Sequence, residues 1–176
     1  MGRTQVARMM LLAILPLVAC DGQGTGPPDE ILLGRHRVLG LEHNVRIDPA
    51  STAPGGDFTA ILTLTNHRSQ PTTLTSGCIV LARGVVYRAG DEEGQSFIGT
   101  GDGCFTALSS YQLDVGETFE QVWHATAANR VYLGDFQWEI IPASEGDYVF
   151  RVSPDVITID QESARLPELE VAFRVD

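Results

Sequence analysis

The chain has 176 residues and a formal net charge of −11, with Arg as its only strong base and no Lys anywhere. So acidic a body is repelled by nucleic acid and by anionic headgroups, which excludes a nucleic-acid binder and a protein held to membranes by charge. The length is that of one domain with a sizeable core.

The N-terminus divides into a basic start with Arg3 and Arg8, an apolar run from Met9 to Ala19, and Cys20. This is the layout of an export signal, and its apolar run of about 11 residues is too short to span a bilayer as a helix. The ending Leu17-Val18-Ala19-Cys20 resembles the lipobox of bacterial lipoproteins. That resemblance implies a helical signal peptide over residues 1–19, cleavage before Cys20 and lipidation of Cys20, the thiol forming a thioether to diacylglycerol. An ordinary cleaved signal is the alternative. Loss of Arg3 and Arg8 takes the charge from −11 to −13. Residues 20–40 read as the lipidated N-terminus and a disordered linker, because DGQGTGPPDE at 21 to 30 is almost without apolar side chains.

From residue 41 to 176 the pattern is alternation at period two, the signature of half-buried strands. In FTAILTLTN the residues Phe58, Ala60, Leu62 and Leu64 fall on one face, and Thr59, Ile61, Thr63 and Thr65 on the other. Further short runs lie at 41–48, 72–82, 84–88, 105–113, 118–125, 136–141, 147–152 and 169–175. Gly, Pro, Asn and Asp clusters separate them, as at Pro49 to Gly56, Asn66 to Pro71 and Pro142 to Asp147. Many short strands without helices between them predict an all-β fold, an immunoglobulin-like antiparallel β-sandwich, with a closed barrel as the runner-up. Trp123 and Trp138 are expected in its core, with one of them lining a groove as the lesser alternative.

Cys78 and Cys104 both sit beside turn-like sequence, and in an exported chain such a pair reads as a disulfide. Closing that loop stabilises the fold by about 3 to 4 kcal/mol on the chain-entropy model. The rival reading, a redox or metal pair, lacks a Cys-x-x-Cys and a neighbouring His.

The four histidines, His36, His43, His67 and His124, have no metal-ligand spacing, and no nucleophile elbow, zinc-protease motif or phosphate loop occurs. The carboxylate run Asp91-Glu92-Glu93 reads as a solvated hairpin tip, and Asp102 alone is too little for calcium. No catalytic residue, metal or cofactor is therefore assigned, and the chain is expected not to be an enzyme.

The order LTLTN, then LTSGCIVLARGVVYRAGD, then YQLDVGET leading into FEQVW, then PASEGDYVFRV resembles the BsuPI-type intracellular proteinase inhibitor domain of bacteria over about residues 57–152. Val115 stands where that family usually has Pro, and the Cys78 and Cys104 pair is not part of its pattern. The resemblance implies an immunoglobulin-like sandwich; with the export-like N-terminus and the lack of a catalytic constellation, the expected function is an exported, lipid-anchored binding module acting on a protein partner in the bacterial cell envelope, and the resemblance makes a protease the most concrete partner. The stretch from Gly90 to Cys104 is the loop expected to engage it. The alternative is a structural or assembly lipoprotein of an envelope complex. A carboxylate-based enzyme or sugar binder is the third reading.

Overall fold

The computed structural model describes residues 34–78, 80–91, 94–95, 97–101, 106–163 and 165–176. Its strands are β1 (Arg35–Val38), β2 (Leu41–Asp48), β3 (Ser51–Thr52), β4 (Asp57–Asn66), β5 (Thr72–Cys78), β6 (Ala82–Arg88), β7 (Gly94–Gln95) and β8 (Phe97–Ile98). There follow β9 (Thr106–Leu113), β10 (Thr118–Gly134), β11 (Gln137–Pro142), β12 (Gly146–Pro154), β13 (Val156–Ile159), β14 (Glu162–Ser163) and β15 (Leu169–Val175). The expected signal peptide, Cys20 and the linker as far as residue 33 lie outside the described residues.

The fold is the antiparallel β-sandwich that the alternation predicts. One layer is a sheet in the order β1-β2-β4-β10-β11, with β8 also on β10. The other layer consists of two sheets, β3-β15-β12-β6-β7 and β14-β13-β5-β9. Among the described residues all pairings are antiparallel except β3 with β15.

The alternation of β4 shows why the layers close. Phe58, Ala60, Leu62 and Leu64 are all buried and the threonines between them are half-buried, so one face is core and the other is not. The main core joins Val45, Phe58, Leu62 and Trp123 of the first sheet to Val86, Tyr148, Phe150 and Phe173 of the second. Its aromatic rings meet directly, Phe58 on Phe173 at 4.9 Å, Phe97 on Tyr148 at 5.4 Å and Trp123 on Phe150 at 5.4 Å. A second core joins Leu41 and Leu64 to Leu74, Leu113, Val156 and Ile159 of the third sheet.

The division of the second layer has a local cause. The run 72–82, expected as one strand, is interrupted after Cys78, and the facing run is interrupted at Asp155 between β12 and β13. There the Asp155 N–H donates to Leu81 O (2.9 Å) and its carbonyl accepts from the Gly77 N–H (3.1 Å). The Asp155 carboxylate takes the Arg83 guanidinium (2.9 Å), and the buried Ser76 hydroxyl donates to Val80 O (2.9 Å). These bonds pair the Asp155 backbone and carboxylate and the Ser76 hydroxyl at the crease, and one long strand pair serves two sheets.

Two boundaries and one burial differ from the sequence reading in ways that bear on the surface. Residues 35 to 38, placed in the linker, form β1 and pair with β2, His36 opposite His43. The strand expected to stop at 125 runs on to Gly134, and with β11 it makes a hairpin that leaves the sandwich. Trp123 is in the core, but Trp138 is 58% exposed, because it lies on β11 where no second layer faces it.

Candidate interaction surfaces

Two exposed features follow from this layout, a projecting hairpin and an open strand edge. In the hairpin, β10 and β11 pair from Ala128 opposite Pro142 to Gly134 opposite Gln137, with a bulge between Tyr132 and Gly134. Ala127 and Ala128 are buried at its root; past them Val131, Tyr132, Leu133, Phe136, Trp138, Ile140 and Ile141 are all exposed. The two turn residues, Asp135 and Phe136, have φ of 47° and 62°. Positive φ at both centres is the backbone of a type I′ turn, which matches the twist of a hairpin and normally takes Asn-Gly. Here a phenylalanine occupies the glycine position and is 95% exposed. Tyr132 and Trp138, directly opposite, hold their rings 4.8 Å apart.

The second is β9, the last strand of the third sheet, whose one partner strand among the described residues is β5. Its sequence, TALSSYQL, contains no charged residue and no Pro, the usual guards of a free edge. Leu108 in it is 76% exposed. Nothing in the sequence reading singled out β9 as an edge, since alternation does not say which strand lies outermost.

Of the residues named from sequence, Cys20 and Cys104 lie outside the described residues. Cys78 ends β5, is buried, and is disulfide-bonded. By register it faces Thr106, the first residue of β9 and two after Cys104 in the chain. The stretch from Gly90 to Cys104 is tied down in its middle, where Phe97 is buried in the main core and pairs with β10. Glu92, Glu93, Asp102 and Gly103 of that stretch lie outside the described residues.

The histidines separate by environment. His124 is exposed on β10, and the His67 ring is 3.5 Å from the Glu42 carboxylate. His43 is buried; its Nε2–H donates to Pro167 O (3.2 Å), while Nδ1 has no partner among the described residues. Burial pushes its pKa below the ordinary 6.5, and His36, 5.8 Å away, adds to the lowering. Among the described residues no group of three or more His, Cys, Asp or Glu side chains could hold a metal ion. A shallow pocket of about 290 Å³ between β8 and the root of the hairpin is lined by Phe97, Ile98, Gly99, Thr100 and Arg130, too open to enclose a small ligand.

The class defined by fold and surface is a β-sandwich with an unguarded edge and an apolar arm. No family model and no curated protein matches the chain. Among solved structures, the β-glucosidase EmGH1 of Erythrobacter marinus is similar at a TM-score of 0.45 and 9% identity, over 77% of this chain and 15% of that one. The Listeria innocua β-glucosidase in complex with glucose gives 0.39 and 10%, over 77% and 16%. The PapD-like domain 7 of human CEP192 gives 0.24 and 19%, over 74% and 81%. The chain thus spans about 15% of the length of the first glucosidase. At such TM-scores these likenesses carry neither an activity nor a partner to this chain.

Proposed function

We propose that the chain is an exported, lipid-anchored, non-enzymatic binding module that takes a protein partner of the bacterial cell envelope as an added strand on β9. The observation that supports this most directly is the composition of that edge: eight residues without a charge or a Pro, in a chain that is 20% charged. An edge strand takes an extended partner segment by main-chain pairing, the partner's alternate side chains meeting apolar ground such as Leu108. A bridge from Cys78 to Cys104 fits this role. Cys78 faces the start of β9 in register, so the bridge would clamp the strand that receives the partner.

The resemblance to BsuPI-type inhibitor domains makes a protease the most concrete partner, since a protease binds its target chain extended and an inhibitor must stay rigid in the complex. The test titrates the chain, disulfide intact, against a panel of secreted serine proteases, following their activity and the integrity of the chain. Stoichiometric inhibition with the chain uncut, lost in Leu108→Lys, supports the reading. If every protease is unaffected or digests the chain, the inhibitor version falls and the structural or assembly role takes its place.

A further inference from the structure

We propose that the β10–β11 arm is a dimerisation element: two copies of the chain lay the aromatic faces of their arms together, antiparallel, about one two-fold axis. This goes beyond the binding role above and does not depend on it.

The register divides the arm into two unlike faces. Directly opposite residues share a face, and successive pairs alternate. Arg130 with Ile140 and Tyr132 with Trp138 therefore stand on one face, and Asn129 with Ile141 and Val131 with Glu139 on the other. The second face carries an amide and a carboxylate and suits water. The first carries both rings, and all four of its side chains are exposed. The Phe136 N–H donates to the Tyr132 hydroxyl (3.4 Å), which ties the tip to that same face.

The charges indicate what covers it. Arg130 and Asp135 are exposed and have no ion-pair partner among the described residues. A step along the ladder is about 3.4 Å, so Tyr132 and Trp138 stand about 7 Å from Arg130 and about 7 Å from the turn. A two-fold axis in the plane of contact, crossing the arm at the aromatic pair, reverses one arm over the other and keeps β10 over β10. It sets Arg130 of each copy against Asp135 of the other, both on the β10 side, and Ile140 against Phe136, both on the β11 side. One rotation thus pairs both charges and puts apolar groups on apolar ones, as an isologous contact requires. A different protein asks for no cation and anion at equal distances from the aromatic centre, and a bilayer would have to bury Arg130.

Area and distance agree with a second copy. At roughly 150 to 250 Å² for a fully buried ring, the exposed parts of Tyr132, Trp138 and Phe136 amount to about 300 to 500 Å² on each copy. Ile140 and the Arg130 stem bring the patch near the ~600 Å² per partner at the low end of specific interfaces, so the dimer is of micromolar strength. Each chain carries −11, which opposes association. From Ala128 to Tyr132 is about 14 Å of extended strand, so the two roots stand about 27 Å apart, well beyond a screening length of about 8 Å in physiological salt.

The test is sedimentation velocity of the full chain, disulfide intact, between roughly 1 and 200 μM in about 0.15 M salt. The expected result is a shift from one chain to two across that range. Phe136→Gly, which keeps the turn, should weaken association by roughly tenfold or more. Arg130→Glu and Asp135→Arg should each weaken it by a similar factor, because each sets like charges together. Mixing the two single variants should restore the dimer, since Glu at 130 in one then meets Arg at 135 in the other while the native pair forms at the second contact. A chain that stays single throughout overturns the proposal. So does a dimer that Phe136→Gly leaves unchanged, because its contact then lies elsewhere. Charge variants that fail to recover on mixing, with circular dichroism showing both folded, overturn the two-fold pairing.

Discussion

The rings of Tyr132 and Trp138 face each other at 4.8 Å across the β10–β11 ladder, with both side chains more than half exposed. A cross-strand aromatic pair contributes roughly 0.2 to 1 kcal/mol beyond an alanine pair, which steadies a hairpin that has no second layer over it. The arm is therefore stiffened by its own side chains rather than by the core. Substitutions in it should leave the sandwich folded.

Phe136→Gly tests that separation. The residue sits at φ 62° and is 95% exposed, so glycine relieves left-handed strain and removes no buried contact. Denaturation should show stability unchanged or raised by up to about 1 kcal/mol, the relief being partly offset by the freer unfolded chain. A clear loss of stability would mean that Phe136 packs against the domain.

Asn66 is the opposite case. It is buried, and its Nδ2 donates to Gln70 O (3.0 Å) and Leu113 O (3.1 Å), while Oδ1 accepts from the Arg68 N–H (2.9 Å). Its backbone also takes the turn before β10, bonding Gly116 and Glu117. Asn66→Ala orphans several buried groups and should cost about 2 to 3 kcal/mol in urea unfolding, where Asn66→Asp recovers only part of the loss.

His43 makes stability fall in acid. Its pKa is depressed in the folded state, so below about 6.5 the unfolded chain binds a proton that the native chain refuses. Stability should therefore be full above that pH and decline as the pH drops toward the native pKa. In His43→Phe the part of the slope due to this residue should vanish, as read from urea midpoints between pH 7.5 and 5, a window set by the ordinary histidine value. An identical slope in the variant would assign the acid lability elsewhere.

Gly99 holds the turn after β8. Its φ is +84°, and a Cβ there would stand 2.0 Å from the His124 carbonyl oxygen. Gly99→Ala should cost about 2 kcal/mol or more and release Phe97 from the core, seen as faster proteolysis between residues 90 and 104.

Period-two alternation, together with the near absence of helical spacing, determined the all-β sandwich and most strand positions; the inward set of β4 was legible residue by residue. The export-like start and the cysteine pair are local patterns too, and Cys20 and Cys104 lie outside the described residues. What only the tertiary structure decided is where strands stop and which lie outermost. Alternation does not tell a strand covered by a second layer from one that projects past it, so FQWEII at 136–141 read as a strand with a core tryptophan and proved to be part of an exposed arm. β9 in the same way shows an ordinary strand pattern, and its place as the last strand of its sheet among the described residues follows from the sheet order alone. Burial depends on what lies opposite, and a linear pattern holds no record of that.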